Sequence, residues 1–213
     1  MSAPITVSVD GPAASGKGTI ARAIAREYDL PHLDSGLLYR GLAFVSILRR
    51  LEKPEQAIAF ACDLTEDLLA NPRLRDDDVS VRASVISQDP GVRAVLRGRQ
   101  LAFAAEPRGA VIDGRDIGTV IMPHAKAKLF ITASPEERAY RRHKQLLHER
   151  GKSPPYEAVL EAILARDAAD STRALSPLRV APGALLIDTT LLSLEQAIEA
   201  ALSFVRRQAL VIA

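Results

Sequence analysis

Nine consecutive residues, Gly11-Pro12-Ala13-Ala14-Ser15-Gly16-Lys17-Gly18-Thr19, constrain this chain more than any other stretch. They lie between a short apolar run, Ile5-Thr6-Val7-Ser8-Val9, and a segment of helical periodicity over residues 20–28. Strand, Gly-rich loop and helix, in that order, are the setting of a phosphate-binding loop. Glycine lets the backbone wrap an anion without Cβ obstruction, so its N–H groups turn inward. The helix that follows adds the positive end of its dipole. Lys17 supplies a point charge for the outer phosphates, and Thr19 or Ser15 supplies a hydroxyl near a metal ion. The strict pattern has Ser or Thr directly after the Lys, whereas here Gly18 stands there and Thr19 follows one place later.

A length of 213 residues suits one domain, or one domain with small mobile insertions. Apolar residues at 47% suffice for a core, and aromatics at 4% make that core aliphatic. A net charge of +2 gives no reason to expect a nucleic-acid partner. Of the 28 basic residues 22 are Arg, whose planar fork binds phosphate bidentately, so position must decide which of them matter. The one cysteine, Cys62, sits in an apolar helical stretch (58–69) and is expected to be buried and inert. A lone cysteine forms no disulfide within the chain, which suits a reducing compartment. Up to Asp10 no basic region leads into an apolar block, and no apolar run approaches the roughly eighteen residues of a membrane span. A cytoplasmic protein without membrane contact is expected.

The pattern predicts a strand at 5–10, a helix at 17–28, a short strand at 30–33, a helix at about 37–49 and another at 54–69, stopped by Asn71-Pro72. Residues 71–82 are polar and weakly patterned, with at most one short strand at Val79-Ser80-Val81. Asp76-Asp77-Asp78 reads as a solvated turn capping a helix, since nothing near it has metal-ligand spacing. Asp89-Pro90 opens a helix to about 103. Strands follow at 110–113 and 127–132. Ser134 with Glu137 caps a very basic helix to about 150. A helix at 156–172, a strand at 185–187 and a last helix to about 208, capped by Ser193 with Gln196, complete the chain. Short strands that are apolar throughout, interleaved with helices, imply an α/β fold with a parallel sheet covered on both faces. Ligands of such folds bind beyond the carboxyl ends of the strands. Asp10-Gly11, Asp34-Ser35-Gly36, Asp113-Gly114 and Asp188-Thr189 all fall at strand ends, so they are expected to converge on one cleft.

Four further groups carry chemistry. In Asp34-Ser35-Gly36-Leu37-Leu38-Tyr39-Arg40, Gly36 permits a tight strand-to-helix turn. Arg40, one turn on, either reaches back over the helix start toward an anion or is a surface Arg. In Asp113-Gly114-Arg115-Asp116-Ile117-Gly118-Thr119, Asp113 ends a strand where phosphate-loop enzymes hold metal-bound water. Arg115 and Asp116 either project into the cleft or pair with each other. Arg166, Asp170 and Arg173, at i, i+4 and i+7, share one helix face. That face is an ion-pair ladder, or two phosphate donors around a ribose acceptor. Arg138, Arg141, Arg142, His143 and Lys144 charge one helix between breaks at 132–134 and 151–155. It is a lid closing over phosphates, or a solvated basic face. His32, His124, His143 and His148 show no ligand spacing and are assigned no chemistry.

In this order and spacing the groups resemble the bacterial cytidylate kinases, in the nucleoside monophosphate kinase branch of P-loop proteins. The Gly-Lys-Gly-Thr form suits that branch. The segments that carry the resemblance are the loop, Asp34-Ser35-Gly36 with Tyr39-Arg40, Asp113-Gly114-Arg115-Asp116 with Gly118-Thr119, Arg166-Asp167 with Asp170 and Arg173, and Pro177-Leu178. It implies a parallel five-stranded sheet with flanking helices, a monophosphate-binding insert, reduced here to about 54–82, and a lid at about 134–155. It implies a monomer that moves the γ-phosphoryl group of ATP to CMP or dCMP with Mg²⁺. Thr19 and Asp113 would both approach the ion through water. Arg40, Arg115 and Arg173 would clamp the CMP phosphate. Asp170, with Arg166, would hold the ribose. Asp116, Ser84 and Arg93 would read the cytosine, and Ser35 and Tyr39 belong to the same substrate-binding set. Arg138 and Arg142 would reach the transferring phosphoryl group. Longer family members carry a larger, sheet-rich insert before the Ser84 region, so movement of the insert is expected to be smaller here. Rival readings are a kinase for UMP or another small acceptor, and a nucleotide-dependent ATPase or switch. The Asn-Lys-x-Asp element of a GTPase does not occur. Dispersed Arg and scarce aromatics speak against a nucleic-acid binder.

Overall fold

Val7 and Val9 are completely buried in the strand β1 (Ile5–Asp10), as an inner strand of a covered sheet requires. The fold is known from a computed structural model, which describes residues 4–210. It contains a five-stranded parallel sheet in the order β2-β3-β1-β4-β5, with β2 at His32–Asp34, β3 at Gly109–Gly114, β4 at Ala127–Thr132 and β5 at Leu185–Asp188. Asp10 stands opposite Gly114 on one side and Phe130 on the other, and Thr132 stands opposite Asp188. The α-helices are α1 (Lys17–Glu27), α2 (Ser35–Leu48), α3 (Glu66–Leu69), α4 (Asp77–Ile86), α5 (Pro90–Ala104), α6 (Pro135–Arg150), α7 (Tyr156–Thr172) and α8 (Leu194–Leu210). Among the described residues no helix is long and apolar enough to cross a membrane.

The chain divides into two units, one of residues up to Leu33 and from Glu106 onward, the other of Asp34–Ala105. In the first, Val7, Val9, Val111, Leu129 and Ile131 of the sheet pack with Ile20 and Ile24 of α1 and with Ala201 and Val205 of α8. The Ile20, Ala21, Ile24 and Ala25 stripe of α1 is buried, as its spacing requires. A smaller cluster of Ala139, Val159 and Ile163 joins α6 to α7. The second unit has its own buried set, including Leu38 and Leu42 of α2, Leu64, Leu74, Ile86 of α4 and Leu96 of α5.

Three expectations need correction. The helix expected at 54–69 is two pieces, a 3₁₀ helix at Pro54–Asp63 and then α3. The buried Leu64 leaves helical geometry, and Thr65 starts the chain again as a cap, its Oγ1 accepting from Leu68 N–H. Residues 71–82 hold no strand, but a 3₁₀ turn at Pro72–Arg75 and then α4. Val79, Ala83 and Ile86 are buried at i, i+4 and i+7, while Val81 is 68% exposed, so the period is helical. Asp77 and Asp78 lie in the first turn of α4, where carboxylates complement the dipole. Cys62 is exposed, not buried.

Candidate nucleotide site

The chain leaves β1 at Gly11, whose φ is 152°. A Cβ there would lie 2.0 Å from the Ile131 carbonyl oxygen of β4, so only glycine lets the loop depart this close to the neighbouring strand. Gly16 caps α1, and its carbonyl accepts from the N–H groups of Thr19 and Ile20, which closes the first helical turn. Lys17 Nζ donates to the Pro12 carbonyl at 3.3 Å, so the side chain folds back over the loop. Thr19 Oγ1 accepts from Arg22 at 3.2 Å. Ser15 Oγ is buried and has no hydrogen-bond partner among the described residues. An orphaned hydroxyl at the mouth of such a loop is where a ligand oxygen or a hydrated ion satisfies it.

Asp113, near the end of β3, is 2% exposed. Its Oδ1 is bonded to His32 Nε2 at 2.8 Å, so a histidine to which the sequence assigns no chemistry holds one carboxylate oxygen. Both oxygens lie beside the start of α1, at 3.7 and 4.0 Å from where a Cβ on Gly18 would stand. Ser15, Thr19 and Asp113 form an all-oxygen donor set, the kind a hard cation takes together with phosphates and water. Among the described residues no three His, Cys, Asp or Glu side chains gather as a metal site. As oxygen donors, Ser15, Thr19 and Asp113 fit Mg²⁺.

The same unit holds a cluster of four charges, in which Asp116 and Asp170 are buried and Arg115 and Arg173 half-buried. Arg115 Nε donates to Asp170 Oδ2 at 2.8 Å, Arg173 approaches Asp170 and Asp116 at 3.9 Å each, and Arg173 Nε donates to the Ser176 carbonyl at 2.6 Å. Asp170 and Arg173 come from the end of α7 and the residue after it, Arg115 and Asp116 from the turn after β3. Burial pushes the Asp170 carboxyl up, but Arg115, with Arg166 and Arg173, outweighs it and holds the carboxyl below its ordinary value. An array of Arg around one buried carboxylate suits a phosphate and a neighbouring hydroxyl.

In the second unit, Arg40 folds back over the start of α2. Its guanidinium lies 3.6 Å from where a Cβ on Gly36 would stand, and Asp34 Oδ1 lies 3.0 Å from that point. The guanidinium of Arg93, on α5, lies 5.9 Å over the Tyr39 ring of α2 and donates to the Ser87 carbonyl at 3.3 Å. Ser84, on α4, is half-buried, and its carbonyl accepts from Ser87 Oγ at 2.8 Å. Ser35, the first residue of α2, is buried.

On α6, Ser134 Oγ accepts from Glu137 N–H, as the capping pattern requires. Arg138 is buried. Its guanidinium grips Asp167 of α7 with two bonds of 3.0 and 2.5 Å, and also donates to the carbonyls of Ala133 and of Ala13 in the phosphate loop. Arg142 donates to Gln145 at 3.3 Å. Arg141, expected only as part of a basic helix, is tied to Glu137 and to both oxygens of Thr189. With Gly16, Thr19, Ile20, Thr189 and Leu192 it borders a cleft of about 370 Å³ beside the loop. Asp167, Thr189 and His32 stand inside recognised segments, but their roles were not legible because their partners are remote in sequence.

The profile of the family described as cytidylate kinase matches residues 7–207. A cytidylate kinase of Xanthobacter autotrophicus is 49% identical over 202 residues, covering 94% of this chain and 97% of the relative. A cytidylate kinase of a Methylobacterium species is 53% identical over 182 residues, covering 84% and 86%. A solved gluconokinase from Sinorhizobium meliloti superposes with a TM-score of 0.50 at 17% identity over 98% of this chain and 95% of that one, which is a likeness of fold. With this match running from β1 into α8, the chain belongs to the cytidylate kinase family.

Proposed function

We propose that this chain transfers the γ-phosphoryl group of ATP to CMP or dCMP, giving ADP and CDP or dCDP. An oxygen of the acceptor phosphate attacks the γ-phosphorus while the bond to the β–γ bridging oxygen breaks, and ADP leaves with that electron pair. The acceptor is already an anion, so no strong general base is needed. Catalysis is alignment and charge neutralisation. The loop N–H groups and Lys17 hold the donor phosphates. Arg40, Arg115 and Arg173 bind the acceptor phosphate. Asp170, with Arg166, takes the ribose, and Asp116, Ser84 and Arg93 take the base. Arg138 and Arg142 act on the transferring group, and the cleft beside Arg141 receives the donor base. Mg²⁺, when bound, neutralises charge on the donor phosphates. Closure of the 134–155 segment excludes water, which otherwise competes as acceptor. The protein acts in the cytoplasm as a monomer.

The observation that carries this reading is the Arg115–Asp170–Arg173–Asp116 cluster in the unit that holds the phosphate loop. A nucleotide switch has no use for a second array of phosphate donors beside a ribose-type acceptor. Chromatography of the products from ATP and CMP tests it. Stoichiometric CDP and ADP are expected, and ADP with free phosphate but no CDP contradicts it.

A further inference from the structure

Asp10 has no part in the chemistry above, yet its carboxylate is only 2% exposed and both of its oxygens are engaged. It ends β1, one residue before the phosphate loop. Its Oδ1 accepts from Ile117 N–H at 2.8 Å and its Oδ2 from Gly118 N–H at 2.7 Å, more than a hundred residues away. Both oxygens of one carboxylate thus grip two consecutive backbone donors. The gripped segment, Ile117–Ile121, is a single π-helical turn directly after Arg115 and Asp116. Space is as restrictive as bonding. A Cβ on Gly118 would lie 2.8 Å from Ser8 Oγ, 3.1 Å from Ala181 Cβ and 3.2 Å from Asp10 Oδ2. The turn seats on the face of β1 that carries Ser8 and Asp10, with room there for a hydrogen only.

We propose that Asp10 is a positioning residue for the phosphate acceptor, clipping the 117–118 turn to the central strand so that Arg115 and Asp116 stand at a fixed place relative to the phosphate loop. This rests on the reading of Arg115 and Asp116 as CMP-binding residues. The two halves differ in what else holds them. The donor loop is closed by Gly11 against β4 and by the first turn of α1. A π turn is an irregular ladder that depends on outside contacts. Loosening the clip therefore frees the acceptor side first. Burial pushes the Asp10 carboxyl up to about 7, the two N–H bonds and Arg115 oppose that rise, and Asp116 adds to it. Asn is the same size but has one acceptor oxygen, and it turns an NH₂ group toward the second N–H.

The test compares wild type with Asp10→Asn in CMP binding by calorimetry and in steady-state kinetics. Losing one charge-assisted bond is expected to raise Kd and KM for CMP about tenfold or more. KM for ATP and kcat at saturating CMP are expected to stay within about threefold, because the donor loop keeps its own supports. Gly118→Ala keeps the carboxylate but lifts the turn, and the same split is expected. Adding Ser8→Ala to it removes the nearest obstacle and is expected to restore part of the CMP affinity. Equal loss for both substrates, or unchanged CMP affinity in both folded variants, overturns the clip. Wild type that fails to bind CMP brings down the functional reading and the clip together. Wild type that binds CMP no better than either variant brings down the clip alone.

Discussion

Arg115 Nε and Asp170 Oδ2 lie 2.8 Å apart, although 55 residues separate them in the chain. The pairing joins the turn after β3 to the end of α7, two segments that in sequence are separate groups with ordinary ion-pair alternatives. In the fold Asp170 is the hub, with Arg115 bonded to it and Arg166 and Arg173 adding to its field.

Asp170→Asn leaves those half-buried arginines without their buried anion. Breaking a buried pair in this way is expected to cost about 3 kcal/mol of stability at neutral pH, read from urea denaturation. The folded carboxyl is held below its ordinary value, so its contribution is present above the ordinary carboxylate range and is lost as pH falls through the folded value. The gap between wild type and variant should therefore close in acid. KM for CMP should rise more than KM for ATP.

Lys17→Ala removes a half-buried cation that folds over the loop carbonyl of Pro12. Folding stability should change by no more than about 0.5 kcal/mol. Turnover should fall about 10²–10³-fold, the loss typical of one preorganised charge on a transferring group. Turnover close to wild type would remove Lys17 from the donor site.

Asp116→Ala should raise KM for CMP far more than KM for ATP. Its carboxylate is buried and lies 3.9 Å from Arg173. Equal effects on the two substrates would assign Asp116 to the general fold of the site.

Asp10 gives a stability signature of the opposite sign to that of Asp170. Burial raises its folded value from 3.8 to about 7, so the native state holds a proton there that the unfolded chain releases. That contribution is full below the ordinary carboxylate value and is lost as pH rises to about 7. Against Asp10→Asn, wild type should lose stability across this window by about 1.4 kcal/mol per pH unit at most, and the difference should be flat above it. Parallel stability curves for the two proteins contradict a raised Asp10.

What could be read from the sequence was what neighbours in sequence decide. The phosphate loop, the α1 stripe and the Ser134 cap depend on residues within one or two turns, and each lies where its spacing places it. The helix α4 did not emerge, because Val79 and Val81 alternate like a strand and only the burial of Val79, Ala83 and Ile86 separates the two periods. The break at Leu64 follows from where that side chain is buried, which no local pattern reports. The grip of Arg138 on Asp167, of His32 on Asp113 and of Asp10 on Gly118 joins residues 29 to 108 positions apart. Each residue stood inside or beside a recognised segment, but its partner depended on tertiary packing.

A phosphate loop that is the donor half of a two-nucleotide site gives up ADP only when an acceptor is present. Release of ADP from ATP, measured in a coupled assay with and without CMP, dCMP, UMP or AMP, tests it most directly. Negligible release with ATP alone and strong release with CMP or dCMP are expected. ADP release that proceeds at the same rate whether or not any acceptor is present would contradict it.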